Sequence, residues 1–265
     1  MIIGAACGFA GAYVTGSTLL GALCGIVAGT ALSAIFALLA LGLAANQVAT
    51  GLALTILGIG LSGLIGASFV GEKIIPSPQL HLPVLTDLPF VGRILFGQDA
   101  FVYLSLALVA GIWWFIYRTR WGLVLRAVGD NHASAHALGY PVLTIRTFAV
   151  LFGGACAGLG GAYLPLAYTP FFIPGMTAGR GWIALALVVF SSWLPGRLAI
   201  GAYLFGAVTI LQLHAQGAGL GIPSQLMSSL PYLATIVVLV LMSRARSNAG
   251  STAPASLGLV FVPDR

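Results

Sequence analysis

Long apolar runs without a charged residue recur along this chain and constrain its fold more than any other feature. Several have about 18 or more residues, the number needed to cross roughly 30 Å of hydrocarbon. Charged residues make up 6% of the 265 residues and apolar residues 59%, whereas a soluble domain is about a quarter charged. Such a chain cannot cover itself with polar surface. The sequence therefore predicts an all-α, polytopic transmembrane helical bundle.

About eight membrane segments are expected, at residues 2–14, 18–43, 46–70, 100–117, 143–168, 182–194, 198–216 and 226–242. Two of them, 2–14 and 182–194, have about thirteen residues and would span only roughly 20 Å. The first is interpreted either as a tilted fragment packed inside the bundle or as part of a helix that would be complete in a longer chain. The second is interpreted either as a half-helix that ends at mid-membrane or as a crossing helix with frayed ends. Residues 1–245 form one transmembrane domain, and 246–265 are predicted to be a disordered tail rich in Ser, Ala and Pro.

Three glycines of the second segment, Gly21, Gly25 and Gly29, recur at spacings of four residues. Helices in lipid associate through close approach of their backbones, which small residues at this spacing allow. The spacing predicts a tightly packed helix face.

One polar interruption, residues 117–147, is strongly basic and fixes the orientation. Basic loop residues mark the cytoplasmic side of a membrane protein. Placing this stretch inside puts eight basic residues inside and three outside. The inner ones are Arg118, Arg120, Arg126, Arg146, Arg197, Arg244, Arg246 and Arg265, and the outer ones are Lys73, Arg93 and Arg180.

The same stretch contains the signals of a short helix outside the membrane. Asp130 or Asn131 can cap its first turn. Small residues follow, Gly139 suits a left-handed stop and Pro141 prevents continuation. We expect a helix from Asp130 to Leu138 that lies between two crossing helices.

Acidic residues are absent from the apolar segments, and this argues against chemistry at membrane depth. All five lie in predicted loops or in the tail: Glu72, Asp87, Asp99, Asp130 and Asp264. Recognisable hydrolase, phosphate-binding and metal-ligand spacings are also missing. We therefore expect a protein that is not an enzyme, with no catalytic residues, metal or cofactor, and no nucleic-acid partner. A proton-coupled carrier, which normally uses carboxylates within the membrane, is disfavoured.

A few polar or amphipathic side chains near helix ends could contact a solute that crosses the bundle. They are Asn46, Gln47, Thr50, Trp182 and Gln212. Each could equally serve as a structural cap. With no charge at membrane depth, a neutral, hydroxyl-rich solute is favoured over an ion.

Several motifs, in order, resemble one known family of transport proteins. RAVGDNHASAHALGYPV at 126–142 is similar to the cytoplasmic coupling loop of ABC-importer permeases of the branched-chain amino acid and ribose permease family. LPVLTDLPFVGRILFGQD, TRWGLVLRAVG, GMTAGRGWIALALVVF and IPSQLMSSLPYLATIVVLVL resemble its simple sugar and nucleoside subgroup. The resemblance covers residues 1–245, with a coupling loop at 118–146.

The resemblance implies a permease subunit of an ATP-driven importer in the cytoplasmic (inner) membrane. ATP would be bound by a separate ATP-binding subunit, and a second permease subunit and an extracytoplasmic solute-binding protein would complete the assembly. The implied contacts with the ATP-binding subunit are Gly129, Asp130, Asn131, His132, Ala133 and Gly139. A branched-chain amino acid permease and, outside the family, a secondary carrier remain alternatives. Family members carry a further helix at the start, so we hypothesise that this chain is shortened there or that its start codon is misassigned.

Overall fold

The structure is a computed structural model that describes residues 1–78, 97–177, 179–217 and 253–261, together with Leu226, Ser229, Leu233 and Ile236. Nine helices lie in the continuous ranges. They are α1 Ile2–Thr15, α2 Thr18–Ala37, α3 Gln47–Gly66, α4 Ala100–Arg118, α5 Arg120–Asp130, α6 His132–Ala137, α7 Val142–Tyr163, α8 Arg180–Phe190 and α9 Pro195–Gly217.

Three of these helices continue past their α-helical part in a different winding. α2 runs into a π-helical turn, Leu38–Gly42, and α7 into another, Leu164–Tyr168. α3 ends in a 3-10 turn, Ala67–Phe69. Pro165 has no N–H to donate to the preceding turn, and the wider winding of the π turn at that point accommodates it.

The predicted helical membrane bundle is confirmed. Five helices of the described residues are long and apolar enough to cross a membrane: α2, α3, α4, α7 and α9. The lengths of α2, α3 and α7 include the turns that continue them. α1 and α8 are shorter apolar helices. The expected count of about eight is not confirmed, and the segment 226–242 lies largely outside the described residues. With 11 residues, α8 rises only about 16 Å, which favours the half-helix interpretation.

Glycine contacts bring α1, α2 and α7 together at the centre of the bundle. A Cβ on Gly25 would lie 2.6 Å from the Ala162 Cβ, and one on Gly29 would lie 2.6 Å from the Gly158 Cα. A Cβ on Gly21 would lie 2.6 Å from the Gly8 carbonyl oxygen. The close-packed face predicted for Gly21, Gly25 and Gly29 is therefore confirmed.

An aromatic cluster ties the ends of α3 and α7 to α1. The Phe9 ring centroid is 6.1 Å from that of Phe69 and 6.0 Å from that of Phe172. Isolated backbone bridges join Val70 to Phe172 and Lys73 to Phe171. The segments that follow α3 and α7 therefore lie on the same side, as the predicted alternation of the helices requires.

The segment 253–261, hereafter the C-terminal segment, is the described part of the tail that we expected to be disordered, and that expectation for 246–265 as a whole stays a prediction. It contains two turns, in which Leu257 N–H donates to the Pro254 carbonyl (3.1 Å) and Leu259 N–H donates to the Ser256 carbonyl (3.1 Å). Phe261 is 9% exposed and packs with Val128, Ala135 and Val142. This buried aromatic side chain gives the segment an apolar anchor that Ser, Ala and Pro do not provide.

Candidate functional site

The site is the corner where α5, α6 and α7 meet outside the apolar helices. α5 follows α4 after a single residue, Thr119, whose Oγ1 accepts a hydrogen bond from Gly122 N–H at 3.0 Å. This N-cap stabilises the start of a second helix, and α5 extends to Asp130. We did not predict α5 from the sequence.

The short helix predicted in the basic stretch exists, but it begins two residues later than expected. Asn131 is extended, with φ −145°, and its side chain accepts a hydrogen bond from Ser134 N–H at 2.9 Å. Asn131 is thus the N-cap of α6, while Asp130 is the last residue of α5. The predicted stop is confirmed, because Gly139 has φ 85°, a conformation that side chains with a Cβ disfavour.

α6 has an inner face towards α7 and an outer face that is open. On the inner face, Ala135 is 3% exposed and packs with Val128 and Val142, while His132 is half-buried. The outer face carries exposed residues, with Leu138 just after the helix 77% exposed. Its members are Ala133, Ser134, Ala137 and Leu138. Small side chains at these positions leave room for another protein to approach the helix backbone closely.

A hydrogen bond joins the inner face of α6 to the second turn of α7. An Arg146 guanidinium N–H donates to His132 Nδ1 at 3.1 Å, which assigns the ring proton to Nε2, since Arg has no acceptor. Partial burial, followed by the charge of Arg146, holds the pKa of His132 below its ordinary value. Neutral His132 is therefore the form that this contact requires.

The C-terminal segment lies against the inner face of α6 and the end of α5. Ser256 N–H donates to the Gly129 carbonyl at 2.9 Å, and Ser256 Oγ donates to the Asp130 carbonyl at 3.1 Å. The last carbonyls of a helix have no partner within the helix, so Ser256 satisfies two of those in α5. The Phe261 ring is edge-on to both histidines, with centroids 5.2 Å from His132 and 5.3 Å from His136.

The six residues predicted to contact an ATP-binding subunit all lie at this corner, but they are not equally open. Four are exposed: Asp130, Asn131, Ala133 and Gly139. Gly129 is half-buried, and a Cβ on it would lie 3.4 Å from the Pro254 Cβ. His132 is half-buried under Phe261. The sequence reasoning missed Ser256 and Phe261, and the signal it passed over was the single aromatic residue within an otherwise small and aliphatic tail.

The five residues predicted along a solute path lie in two separate places. On α3, the Asn46 side chain accepts hydrogen bonds from Val48 N–H (3.0 Å) and Ala49 N–H (3.1 Å). It therefore caps the helix, as the structural alternative anticipated. Near it Gln47 is half-buried and Thr50 buried.

The other two solute-path candidates are on α8 and α9. Trp182 is 68% exposed at the start of α8, and Gln212 is 9% exposed on α9. α3 packs against α1, whereas α8 packs against α9. No cluster of all five residues forms among the described helices, and their role in solute transport stays a prediction.

A polar break follows α8 that the sequence reasoning did not single out. Ser191 is fully buried, and its Oγ donates to the Val188 carbonyl at 2.8 Å. Ser192 and Trp193 have φ values of 53° and 59°, which are uncommon for residues other than glycine. The backbone therefore reverses abruptly between α8 and α9 at buried hydroxyl groups.

The described residues contain no group of three or more His, Cys, Asp or Glu side chains that could hold a metal ion. What the corner offers is a small, open helix face, backed by α7 and by the C-terminal segment. That arrangement is suited to contact with another protein.

Comparison with known proteins identifies the family to which the chain belongs. A family model described as branched-chain amino acid transport system, permease component, matches residues 1–243. The chain is 42% identical over 261 residues to TsgC13 of Haloferax volcanii, a protein assigned by name to glucose ABC transporter permeases; the match covers 90% of this chain and 79% of the relative.

Two further relatives are named for nucleosides. The nucleoside ABC transporter permease NupC of Lactococcus lactis is 31% identical over 88% of this chain and 75% of its own length. The guanosine ABC transporter permease NupQ of Bacillus subtilis is 31% identical over 82% of this chain and 70% of its own length. No solved structure matches the chain.

The family match and the five long apolar helices together define a multi-pass protein of the cytoplasmic (inner) membrane and a transport subunit rather than an enzyme. The chain belongs to the permease component family of the branched-chain amino acid transport systems, within the ABC transporters.

Proposed function

We propose that this permease moves a simple sugar or a nucleoside into the cytoplasm as part of an ATP-driven importer. The observation that carries the proposal is the family match over residues 1–243 together with three relatives named for glucose, nucleosides and guanosine. Arg146 is the one charged residue within the predicted apolar segments, and it lies near the start of α7 at the corner. The lack of charge deeper in the membrane supports a neutral solute. A buried charge in lipid would be costly, and a hydroxyl-rich solute needs only hydrogen-bonding partners.

ATP is bound and hydrolysed by a separate subunit that contacts the outer face of α6. Movement of that subunit displaces α6, and the four-residue connection 138–141 passes the displacement to α7. α7 is in backbone contact with α2 through Gly158 and Gly29, so the two helices move as a unit. Rigid-body movement of this kind can switch access to a central site from one side of the membrane to the other.

Two further partners complete the importer. A solute-binding protein docks on the outer side, where the segments after α3 and α7 meet. A second permease subunit, either identical or related, packs on the apolar surface of this chain. α4 supports this, because it has no buried residue in the isolated chain and so has apolar surface available for a neighbour or for lipid.

The ATP-driven mechanism is tested at Ala133 on the outer face of α6. In the assembled transporter, Ala133→Glu should abolish uptake and weaken co-purification of the ATP-binding subunit, because it places a long charged side chain where close approach is needed. Ala133→Ser keeps the side chain small and is the matched control, with uptake near that of the unmodified protein. Membrane levels of both variants are measured by immunoblotting. Normal ATP-dependent uptake by the Glu variant would refute the contact.

The identity of the solute is tested by competition between labelled and unlabelled compounds for uptake. Uptake of labelled glucose and of labelled guanosine is measured with excess unlabelled glucose, guanosine or leucine, with and without ATP inside vesicles. Competition by sugar or nucleoside, but not by leucine, supports the proposal. Competition by leucine alone would indicate a branched-chain amino acid permease. Uptake that continues without ATP would indicate a secondary carrier.

A further inference from the structure

From these contacts we infer that the C-terminal segment is a clamp that holds α6 against the base of α7, and so forms a working part of the contact with the ATP-binding subunit. The role in transport rests on the proposed function. The docking of the segment does not, and it can be tested by itself.

The first support is that α6 is too short to keep its position unaided. It has six residues, whereas isolated helices shorter than about 12 residues are marginal in water. Its only deeply buried side chain is that of Ala135, a single methyl group. Phe261 packs beside Ala135, Val128 and Val142 and adds a large aromatic ring to the apolar surface that covers the inner face of α6.

The second support is that the C-terminal segment contacts all three helices of the corner through defined polar groups. Ser256 bonds to the end of α5 through the Gly129 and Asp130 carbonyls. On α7, Arg146 Nη1–H donates to the Leu259 carbonyl at 3.0 Å, and its other Nη donates to His132 of α6. One guanidinium therefore joins α7, α6 and the C-terminal segment.

The third support is the position of the C-terminal segment relative to the outer face of α6. Its contacts are with His132, with the cluster around Ala135 and with His136. Ala133, Ser134, Ala137 and Leu138 remain exposed while the segment is docked. The segment therefore does not occupy the face offered to the ATP-binding subunit, and this favours a clamp over an inhibitory plug.

Docking is tested by a disulfide between Gly129→Cys and Pro254→Cys. The Cβ separation of 3.4 Å at these positions is close to the separation of about 3.5–4.5 Å found in disulfides. Cys7, Cys24 and Cys156 are replaced by alanine so that only the new pair reacts. Mild oxidation of the assembled transporter in membranes should protect both thiols from maleimide. The control pair Ala133→Cys with Pro254→Cys spans opposite faces of α6 and should remain open to maleimide.

The disulfide also separates a clamp from a plug. Uptake and ATP hydrolysis are compared for the same Gly129→Cys/Pro254→Cys protein before and after reduction. A clamp predicts equal uptake in the two states, because the segment stays docked throughout the cycle. Uptake restored only on reduction would show that the segment must leave, and failure of the disulfide to form would show that it is not docked; either outcome overturns the inference.

The contribution to coupling is tested with Phe261→Ala and the matched control Val260→Ala, whose side chain is 43% exposed. Phe261→Ala should lower solute moved per ATP hydrolysed several-fold, while the ATP-binding subunit still co-purifies. Val260→Ala should leave the ratio unchanged. An unaltered ratio in Phe261→Ala, or a rise in ATP hydrolysis with uptake to match, would overturn the clamp. Failure of the proposed function is distinguishable, since the unmodified protein would then show no ATP-dependent uptake.

Discussion

Glycine sets the packing at the centre of the bundle, where the backbones of α2 and α7 lie in direct contact. Gly29 faces the Gly154 carbonyl, and a Cβ on Gly29 would lie 2.8 Å from Gly158 N. Apolar side chains cannot supply this contact in lipid, because the surrounding acyl chains are equally apolar. The position of α7 against α2 therefore depends on the glycines at this contact, Gly29, Gly154 and Gly158, which have no side chain.

Gly158→Leu should separate α2 from α7. A Cβ at this position meets the Gly25 carbonyl and lies 3.1 Å from the Gly29 Cα, and overpacking of this kind costs about 1–3 kcal/mol or more. Gly160→Leu, two residues away on the same helix, is the control because nothing lies within 4 Å of a Cβ there. Thermal unfolding in detergent should show a lower midpoint for Gly158→Leu alone. Equal midpoints would contradict the assigned interface.

His132 makes the corner sensitive to pH. The groups that face it are Arg146 from α7 and His136 across the Phe261 ring. Its docked pKa is lowered by burial and by Arg146, while an undocked histidine titrates near 6.5. The stability that neutral His132 contributes to the docked corner is therefore fully present above about pH 6.5. It falls as the pH drops below that value, because the undocked form then binds more protons.

Hydrogen exchange of residues 253–261 measured between pH 8 and pH 5 should test this sensitivity. After correction for the intrinsic pH dependence of exchange, protection should fall below about pH 6.5 in the unmodified protein. His132→Gln retains an acceptor for Arg146 but cannot be protonated, so its protection should not change with pH. The same fall in both proteins would exclude His132 as the cause.

Among the helices, α6 shows both the reach and the limit of sequence reasoning. Local signals sufficed for its existence and its end, because Asn131 caps it and Gly139 stops it through their own backbone conformations. Its start was placed at Asp130 because Asp130 and Asn131 are equally good caps in isolation. Asn131 is the cap because Asp130 is already the last residue of α5. The pattern of apolar segments did not predict α5.

The inner face of α6 could not be predicted for a different reason. Ser256 and Phe261 reach Gly129, Asp130 and His132 from more than a hundred residues away in the chain. Contacts at such separation leave no periodicity in either segment. A tail rich in Ser, Ala and Pro is normally too polar to fold alone, and the buried ring that anchors this one gains its energy only against α6 and α7.

Removal of the α6 cap should loosen that helix selectively. Asn131→Ala deletes the acceptor for Ser134 N–H and should cost about 1 kcal/mol, equivalent to roughly fivefold faster exchange of the amides of 132–137. Asn131→Asp preserves a capping oxygen and should exchange at the original rate. Faster exchange in the Asp variant as well would assign the effect to charge rather than to capping.

Over the whole molecule, the two ends of the bundle have different constructions. The end that contains the corner carries Arg118 at the end of α4, Arg120 and Arg126 on α5, and Arg146 on α7, and polar contacts hold the corner together. The opposite end, around Phe9, Phe69 and Phe172, is closed by aromatic rings and backbone bridges. The orientation follows from the charges, since basic residues concentrate on the cytoplasmic side.

Labelling of single cysteines should confirm this orientation. With Cys7, Cys24 and Cys156 replaced by alanine, Ile75→Cys, at a position 88% exposed, should react with an impermeant maleimide in intact cells. Ser134→Cys on α6 should react only after the cytoplasmic side is opened. The reverse labelling pattern would show that the topology is inverted and that α6 lies on the side where no ATP-binding subunit can contact it.

The glycine contact between α2 and α7 has a consequence for how the protein is made. α3 to α6 are synthesised between the two partners, and at about 5–20 residues per second the delay before α7 emerges is on the order of ten seconds. During that time the glycine face of α2 lies against lipid or α1, without the helix it is shaped to meet. Insertion and assembly are thus separate events in biogenesis. A bulky residue at Gly29 would leave α1 and α2 correctly inserted, and it would block packing only later, when α7 has been synthesised.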